Sequence, residues 1–205
     1  SQKVTLDNRL LSVEELFRQR RKNVALEELS LLSEADFEAK PYELGLYLSL
    51  RAEGQRYKGD YRSAIEDWLR SAKLLATSPL NIRFGRVQLG LSRAYHALGD
   101  LRGAEIRGRD ALAAFRRVND DSGVVESLNN LARVAFIRCD YTSAISYLED
   151  ALVLVKDDER LTATVTCNLG RLRIHTGQWE QAEQELSSAI QYDASNNQEV
   201  PLAAN

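Results

Sequence analysis

Two histidines, His96 and His175, and two cysteines, Cys139 and Cys167, are the side chains of this chain best suited to nucleophilic or metal chemistry. None stands in a spacing that such chemistry requires. The histidines are far apart and neither belongs to an HExxH run, and the cysteines are 28 residues apart with no CxxC pair, so no metal is expected. Cys167 and His175 are i and i+8. On one helix that is about 12 Å at 1.5 Å per residue, too far for a nucleophile–base hydrogen bond. No glycine-rich phosphate loop is present. The expectation is a protein that is not an enzyme and carries no cofactor. Basic residues cluster at Arg18, Arg20, Arg21 and Lys22, and again at Arg102, Arg107, Arg109, Arg116 and Arg117. Nucleic-acid-binding domains usually have a pI above about 9. Here the pI is about 5.6 and the net charge −3, so these runs read as solvated helix surface.

The 205 residues are 44% hydrophobic and 28% charged, values of an ordinary folded chain rather than a disordered one. No stretch approaches 18 consecutive apolar residues, so no membrane-spanning helix is expected. The first residues, Ser1–Asp7, lack the apolar core of a signal peptide. Two cysteines make no disulfide framework, and a cytoplasmic location is expected from that usage.

The elements that would position any site come from a repeat. Gly59-Asp60-Tyr61, Gly99-Asp100-Leu101, Cys139-Asp140-Tyr141 and Gly177-Gln178-Trp179 each stand just before an alanine: Ala64, Ala104, Ala144 and Ala182, at intervals of 40, 40 and 38 residues. A degenerate first copy places Ala25 after Arg20-Arg21-Lys22. The segment after each turn has helical period, as in Ala144, Leu148, Ala151, Leu152 and Val155. The segment before each turn does too, as in Leu128, Leu131, Ala132 and Ala135. Ala52, Ser92, Ala132 and Gly170 share one position, where a small side chain lets two helices approach. The bulky Tyr61, Leu101, Tyr141 and Trp179 can plug the junction to the next helix.

This pattern resembles the tetratricopeptide repeat, a helix–turn–helix unit stacked into a superhelix. Leu128-Asn129-Asn130-Leu131-Ala132 through Asp140-Tyr141 to Ala144, Leu148 and Ala151 matches it closely, and Asn168-Leu169-Gly170 through Trp179 to Ala182, Leu186 and Ala189 matches well. The third copy departs at Gly108, and the second at Arg51 and Gln55, which occupy usually apolar positions. The resemblance implies an all-α fold: ten antiparallel helices in a right-handed superhelix of five repeats. The expected domain is 6–193, with repeats near 6–44, 45–84, 85–124, 125–162 and 163–193, and a polar tail over 194–205. The period exceeds the family's usual 34, and the run Phe115–Gly123 looks like the sensor domains of cytoplasmic bacterial regulators.

In such repeats the first helix of each unit lines a concave groove. In register, one groove position reads Glu14, Glu53, Arg93, Arg133, Arg171. The position four earlier reads Leu10, Ser49, Leu89, Asn129, Cys167, and one three later reads Phe17, His96, Phe136, Ile174. Asn130 and Asn168 share an adjacent position. The resemblance therefore implies a ligand-binding groove of Arg93, His96, Asn129, Asn130, Arg133, Phe136, Asn168, Arg171 and Ile174, with an acidic patch at Glu14 and Glu53. It is similar in part to the carboxylate-binding grooves of chaperone-associated repeat domains, without their lysines. The implied ligand is a protein or peptide segment, acidic or carboxylate-terminated.

The expected function is a non-catalytic scaffold or sensor within a larger regulatory or signalling protein. The alternative is a self-associating assembly module whose repeats stack end to end. The last helix retains the interior pattern Ala182, Leu186, Ala189, Ile190, so a capping chain, or a homodimer through that helix, is expected.

Overall fold

Each turn between paired helices is closed by the same local chemistry. Gly59, Gly99 and Gly177 sit at φ 82°, 82° and 73°, the left-handed conformation that ends a helix, and Cys139 and Arg20 take φ 60° at the equivalent place. The next residue donates its backbone N–H back across the turn: Asp60 to the Gln55 carbonyl (2.9 Å), Asp100 to Tyr95 (2.9 Å), Asp140 to Ala135 (2.9 Å) and Gln178 to Arg173 (3.0 Å). The aspartates then cap the following helix. Asp60 accepts from the Ser63 N–H, Asp100 from Gly103 and Asp140 from Ser143. Cys139 thus stands in for a turn glycine.

That substitution carries a backbone cost. A non-glycine residue in the left-handed region is held there at about 1–2 kcal/mol. Cys139→Gly should raise the midpoint of urea unfolding by the equivalent of about 1 kcal/mol. The reverse change, Gly99→Ala, should lower it similarly, because a Cβ there meets nothing within 4 Å and the whole effect is conformational.

The computed structural model describes residues 6–76, 82–155 and 158–197. Pro79 and Pro201 lie outside them. Among the described residues there are ten α-helices and no strand: α1 Leu6–Arg18, α2 Lys22–Ser30, α3 Pro41–Tyr57, α4 Tyr61–Leu75, α5 Ile82–Ala97, α6 Leu101–Arg117, α7 Asp121–Ile137, α8 Tyr141–Val155, α9 Glu159–His175 and α10 Trp179–Asn197. A 3-10 turn, Glu34–Phe37, lies between α2 and α3. The first helices of the later pairs begin about one helical turn before the repeat boundaries expected from sequence. The long period is therefore spent on longer helices, four of them of 17 residues. One more turn of the same kind joins α6 to α7: Asn119 takes φ 54° and Asp120 donates to the Phe115 carbonyl (3.1 Å).

Packing groups the chain into two compact units, Ser1–Asp120 and Asp121–Asn205. In the first, α3 pairs with α4 and α5 with α6, while α4 packs on α5. Trp68, 3% exposed, fills the α4–α5 interface. It lies against Gly90, where a Cβ would come 2.6 Å from the indole, so only glycine fits there. The Ser92 hydroxyl donates to the Ala104 carbonyl (2.5 Å), tying α5 to α6. In the second unit α7 pairs with α8, α8 packs on α9 and α9 pairs with α10. The small residues hold their expected role, with Ala52, Ser92, Ala132 and Gly170 all buried.

The last helix departs from expectation. Ala182 and Ala189 are buried against α9, but the outward face presents Glu180, Gln181, Glu183, Gln184, Ser187, Ser188 and Gln191, with Ile190 exposed among them. Where earlier second helices bury Leu75, Phe115 and Val155, the sequence here has Asp193. The outward face of this helix is thus mostly polar rather than a continuous apolar surface. The helix also runs to Asn197, past the point where a tail was expected.

Candidate functional site

The second unit holds a cleft of about 220 Å³ between α7 and α9, floored by Leu148 of α8. Asn129, Ala132, Arg133 and Phe136 line it from α7, and Asn168, Arg171, Leu172 and His175 from α9. Both sets are spaced i, i+3, i+4, i+7, which is one stripe of a helix. Relative to the turns, however, the two stripes differ by one residue. Neighbouring helices face each other with opposite edges, so equivalent positions do not enter the same cleft.

That offset explains where the sequence expectation and the structure part. Asn129, Arg133, Phe136, Asn168 and Arg171 come together. Asn130 is buried, 4% exposed, and does not line the cleft. Ile174 is 39% exposed and outside it, and His175, its neighbour, takes the place. Arg93 and His96 lie half-buried on α5, in the first unit. Leu10 and Leu89, assigned to the groove by register, are core residues at 0% and 2% exposure.

One end of the cleft is polar and the other aromatic. Asn168 Nδ2 donates to Asn129 Oδ1 (3.2 Å), and Asn129 Nδ2 donates to the Val125 carbonyl of its own helix (3.1 Å). These bonds fix both amides and join α7 to α9. At the other end the Phe136 ring meets His175 edge-on, with centroids 4.9 Å apart and planes at 70°. His175 stacks on Tyr141 at 6.0 Å and 16°, so Tyr141 plugs the junction to the next helix as its position suggested. Arg133 and Arg171 are exposed at the mouth. Among the described residues Arg171 makes no ion pair.

The other arginine of α9 behaves differently. Arg173, with a side chain 14% exposed, donates to Glu185 of α10 (2.6 Å) and Glu149 of α8 (3.0 Å). Burial pushes the Glu185 carboxyl above the usual range, while Arg173 pulls it down and Glu149 adds to the rise. Arg173 is a structural clamp, and Arg171, two residues earlier, faces the cleft.

The acidic patch expected at Glu14 and Glu53 is neutralised inside the first unit. Arg83 donates to Glu14 (2.9 Å) and to the Tyr42 hydroxyl (3.0 Å), and Arg56 donates to Glu53 through two nitrogens (2.6 and 3.0 Å). Cys167 is not among the residues lining the cleft with His175. Among the described residues no cluster of three or more metal-ligating side chains occurs, and no helix is long and apolar enough to cross a membrane.

Residues 123–194, which fall within the second unit, match the family model for the tetratricopeptide repeat. Over those residues the chain carries the tetratricopeptide repeat. Solved structures with tetratricopeptide-like folds resemble it along nearly its whole length. BtubC (BKLC) from P. vanneervenii is 20% identical with a TM-score of 0.74, covering 99% of this chain and 96% of that one. The apo form of RapI is 15% identical with a TM-score of 0.78, covering 96% of this chain and 56% of RapI. NprR, solved in complex with its cognate peptide NprX, is 18% identical with a TM-score of 0.72, covering 94% of this chain and 57% of NprR. The chain thus spans somewhat more than half of RapI and NprR. At these identities the likeness shows the tetratricopeptide fold. No curated protein is matched by sequence.

Proposed function

We propose that the chain is a non-catalytic binding module, a cytoplasmic scaffold or sensor of a larger regulatory protein, whose α7–α9 cleft holds an acidic or carboxylate-bearing protein segment. The observation that carries this reading is the pairing of two exposed arginines with two amides fixed by hydrogen bonds, along one concave seam. Arginine engages carboxylate by two parallel charge-assisted bonds. A fixed amide offers a peptide backbone a donor or acceptor without losing rotamer entropy. That NprR, of like fold, is solved with a peptide supports the class of ligand.

The test is titration of an acetylated hexapeptide containing aspartates, free at its C-terminus, against its asparagine, amidated counterpart. The acidic peptide is expected to bind at least tenfold tighter, with affinity falling as salt rises. Equal affinities for both peptides would refute the carboxylate reading.

A further inference from the structure

We propose that the α7–α9 cleft anchors its ligand by a C-terminal aromatic residue, the ring seated against Phe136 and His175 and the α-carboxylate held by Arg171 and Arg133. This rests on the binding role proposed above and names its ligand.

Size is the first argument. Pockets that enclose a whole small ligand run from about 300 to 1,000 Å³. At about 220 Å³ this cleft holds roughly one large side chain and its backbone. It is an anchor point, and the rest of a segment must lie outside it.

Axial spacing is the second argument. Phe136 follows Arg133 by three residues and His175 follows Arg171 by four. At 1.5 Å per residue, the Cα atoms that carry ring and guanidinium are offset along the helices by about 4.5–6 Å. That is the separation of a carboxylate from the ring within one aromatic residue. The asparagine pair lies roughly another turn beyond the arginines, placed for the preceding peptide group. The order along the seam, amide then carboxylate clamp then rings, sets the carboxylate at the chain end.

The rings supply the third argument. Phe136 and Tyr141 have centroids 5.8 Å apart at 54°, and with His175 they form a mutually packed cluster. Tyr141 backs the cluster, leaving Phe136 and His175 on the cleft wall beside Leu148 and Leu172. Such a wall offers an incoming ring both an edge and a face. Aromatic pairs add attraction beyond the area they bury, where an aliphatic or small side chain would not.

The probes are three acetylated tetrapeptides, trialanine followed by phenylalanine, by alanine, or by phenylalaninamide, with N-acetylphenylalanine as a fourth. Each is titrated calorimetrically into the full chain. The phenylalanine acid is expected to bind about tenfold tighter than the alanine acid. Amidation should abolish that binding, and Arg171→Ala should mimic amidation. His175→Ala and Phe136→Leu should bring the phenylalanine acid down to the level of the alanine acid, without moving the latter and with helical circular dichroism intact. If both acids bind equally through Arg171, the aromatic anchor is wrong and the carboxylate site stands. If no acid binds, both are wrong. If N-acetylphenylalanine fails to bind where the phenylalanine tetrapeptide does, the ring and its α-carboxylate are not the anchor.

Discussion

Arg51→Ala should destabilise the first unit by about 3 kcal/mol, although its side chain is 31% exposed. Arg51 Nε and Nη2 donate to the two oxygens of Asp67 at 2.6 and 2.7 Å, and Nη2 also donates to Glu34 at 2.8 Å. The Asp67 side chain is only 6% exposed. Taking away the guanidinium leaves a buried carboxylate without its main partner, a change that typically costs about 3–5 kcal/mol. The low end is expected because Arg70 stands 3.8 Å from Asp67 and can move closer. Arg51→Met combined with Asp67→Leu should recover most of the loss, since replacing both charges with apolar groups of similar size is often neutral. Urea unfolding of the single and double variants checks both. A double variant no better than Arg51→Ala would show that packing, not the stranded charge, carries the effect.

The same network sets an acid limit. A hydrogen bond from Arg70, opposed by burial and then reinforced by a bond from Arg51 and the charges of both arginines, holds the Glu34 carboxyl at about 2 instead of 4.5. A carboxylate held below its unfolded value contributes stability above about pH 4.5 and loses it as the pH falls toward 2. Glu34 is 38% exposed, so solvent screens much of this. Glu34→Gln should flatten the fall in thermal midpoint between pH 5 and pH 2, and leave a smaller offset at pH 7.

Arg51 also shows what a sequence can and cannot disclose. A charged residue where the repeat wants an apolar one is visible at once, as a flaw in the second copy. Its partner is not, because Asp67 lies 16 residues away on the next helix and its burial depends on packing. The turns were legible because Gly-Asp must meet a backbone requirement that few residues satisfy. The Asn119–Asp120 turn carries a weaker signal, because asparagine enters the left-handed conformation only occasionally. In the cleft, register points to Arg133 and Arg171, but to Ile174 instead of its neighbour His175. Register along a helix states which residues are equivalent, but which edge of a helix faces its neighbour depends on how the helices pack. The polar face of α10 was readable too. Asp193 stands where the earlier copies have Leu75, Phe115 and Val155, and that departure says more than the retained Ala182 and Ala189.

Arg171→Ala should weaken binding of an acidic segment tenfold or more and leave the thermal midpoint nearly unchanged. Arg173→Ala should do the opposite. The two arginines are one residue apart from adjacency on α9, so long-range electrostatics act on both almost equally and cannot separate them. Their contacts do. The Arg173 guanidinium is enclosed by Glu185 and Glu149, and Glu185 is itself only 16% exposed. Removing the arginine strands the buried Glu185 carboxylate at the junction of α8, α9 and α10, while Glu149, 53% exposed, stays solvated, at a cost of about 2–3 kcal/mol. Arg171 is exposed at the cleft mouth, and no ion pair is lost with it among the described residues. Its worth appears only when a carboxylate arrives and is partly desolvated between Arg171 and Arg133, where losing one partner costs about 2–5 kcal/mol. The low end applies at an open mouth, and that end is already more than tenfold in affinity. Calorimetric titration and thermal unfolding of both variants, beside Arg62→Ala as an exposed control, give a two-by-two outcome. Binding lost equally in Arg171→Ala and Arg62→Ala would mean that only net charge matters, and the cleft would then have no part in recognition.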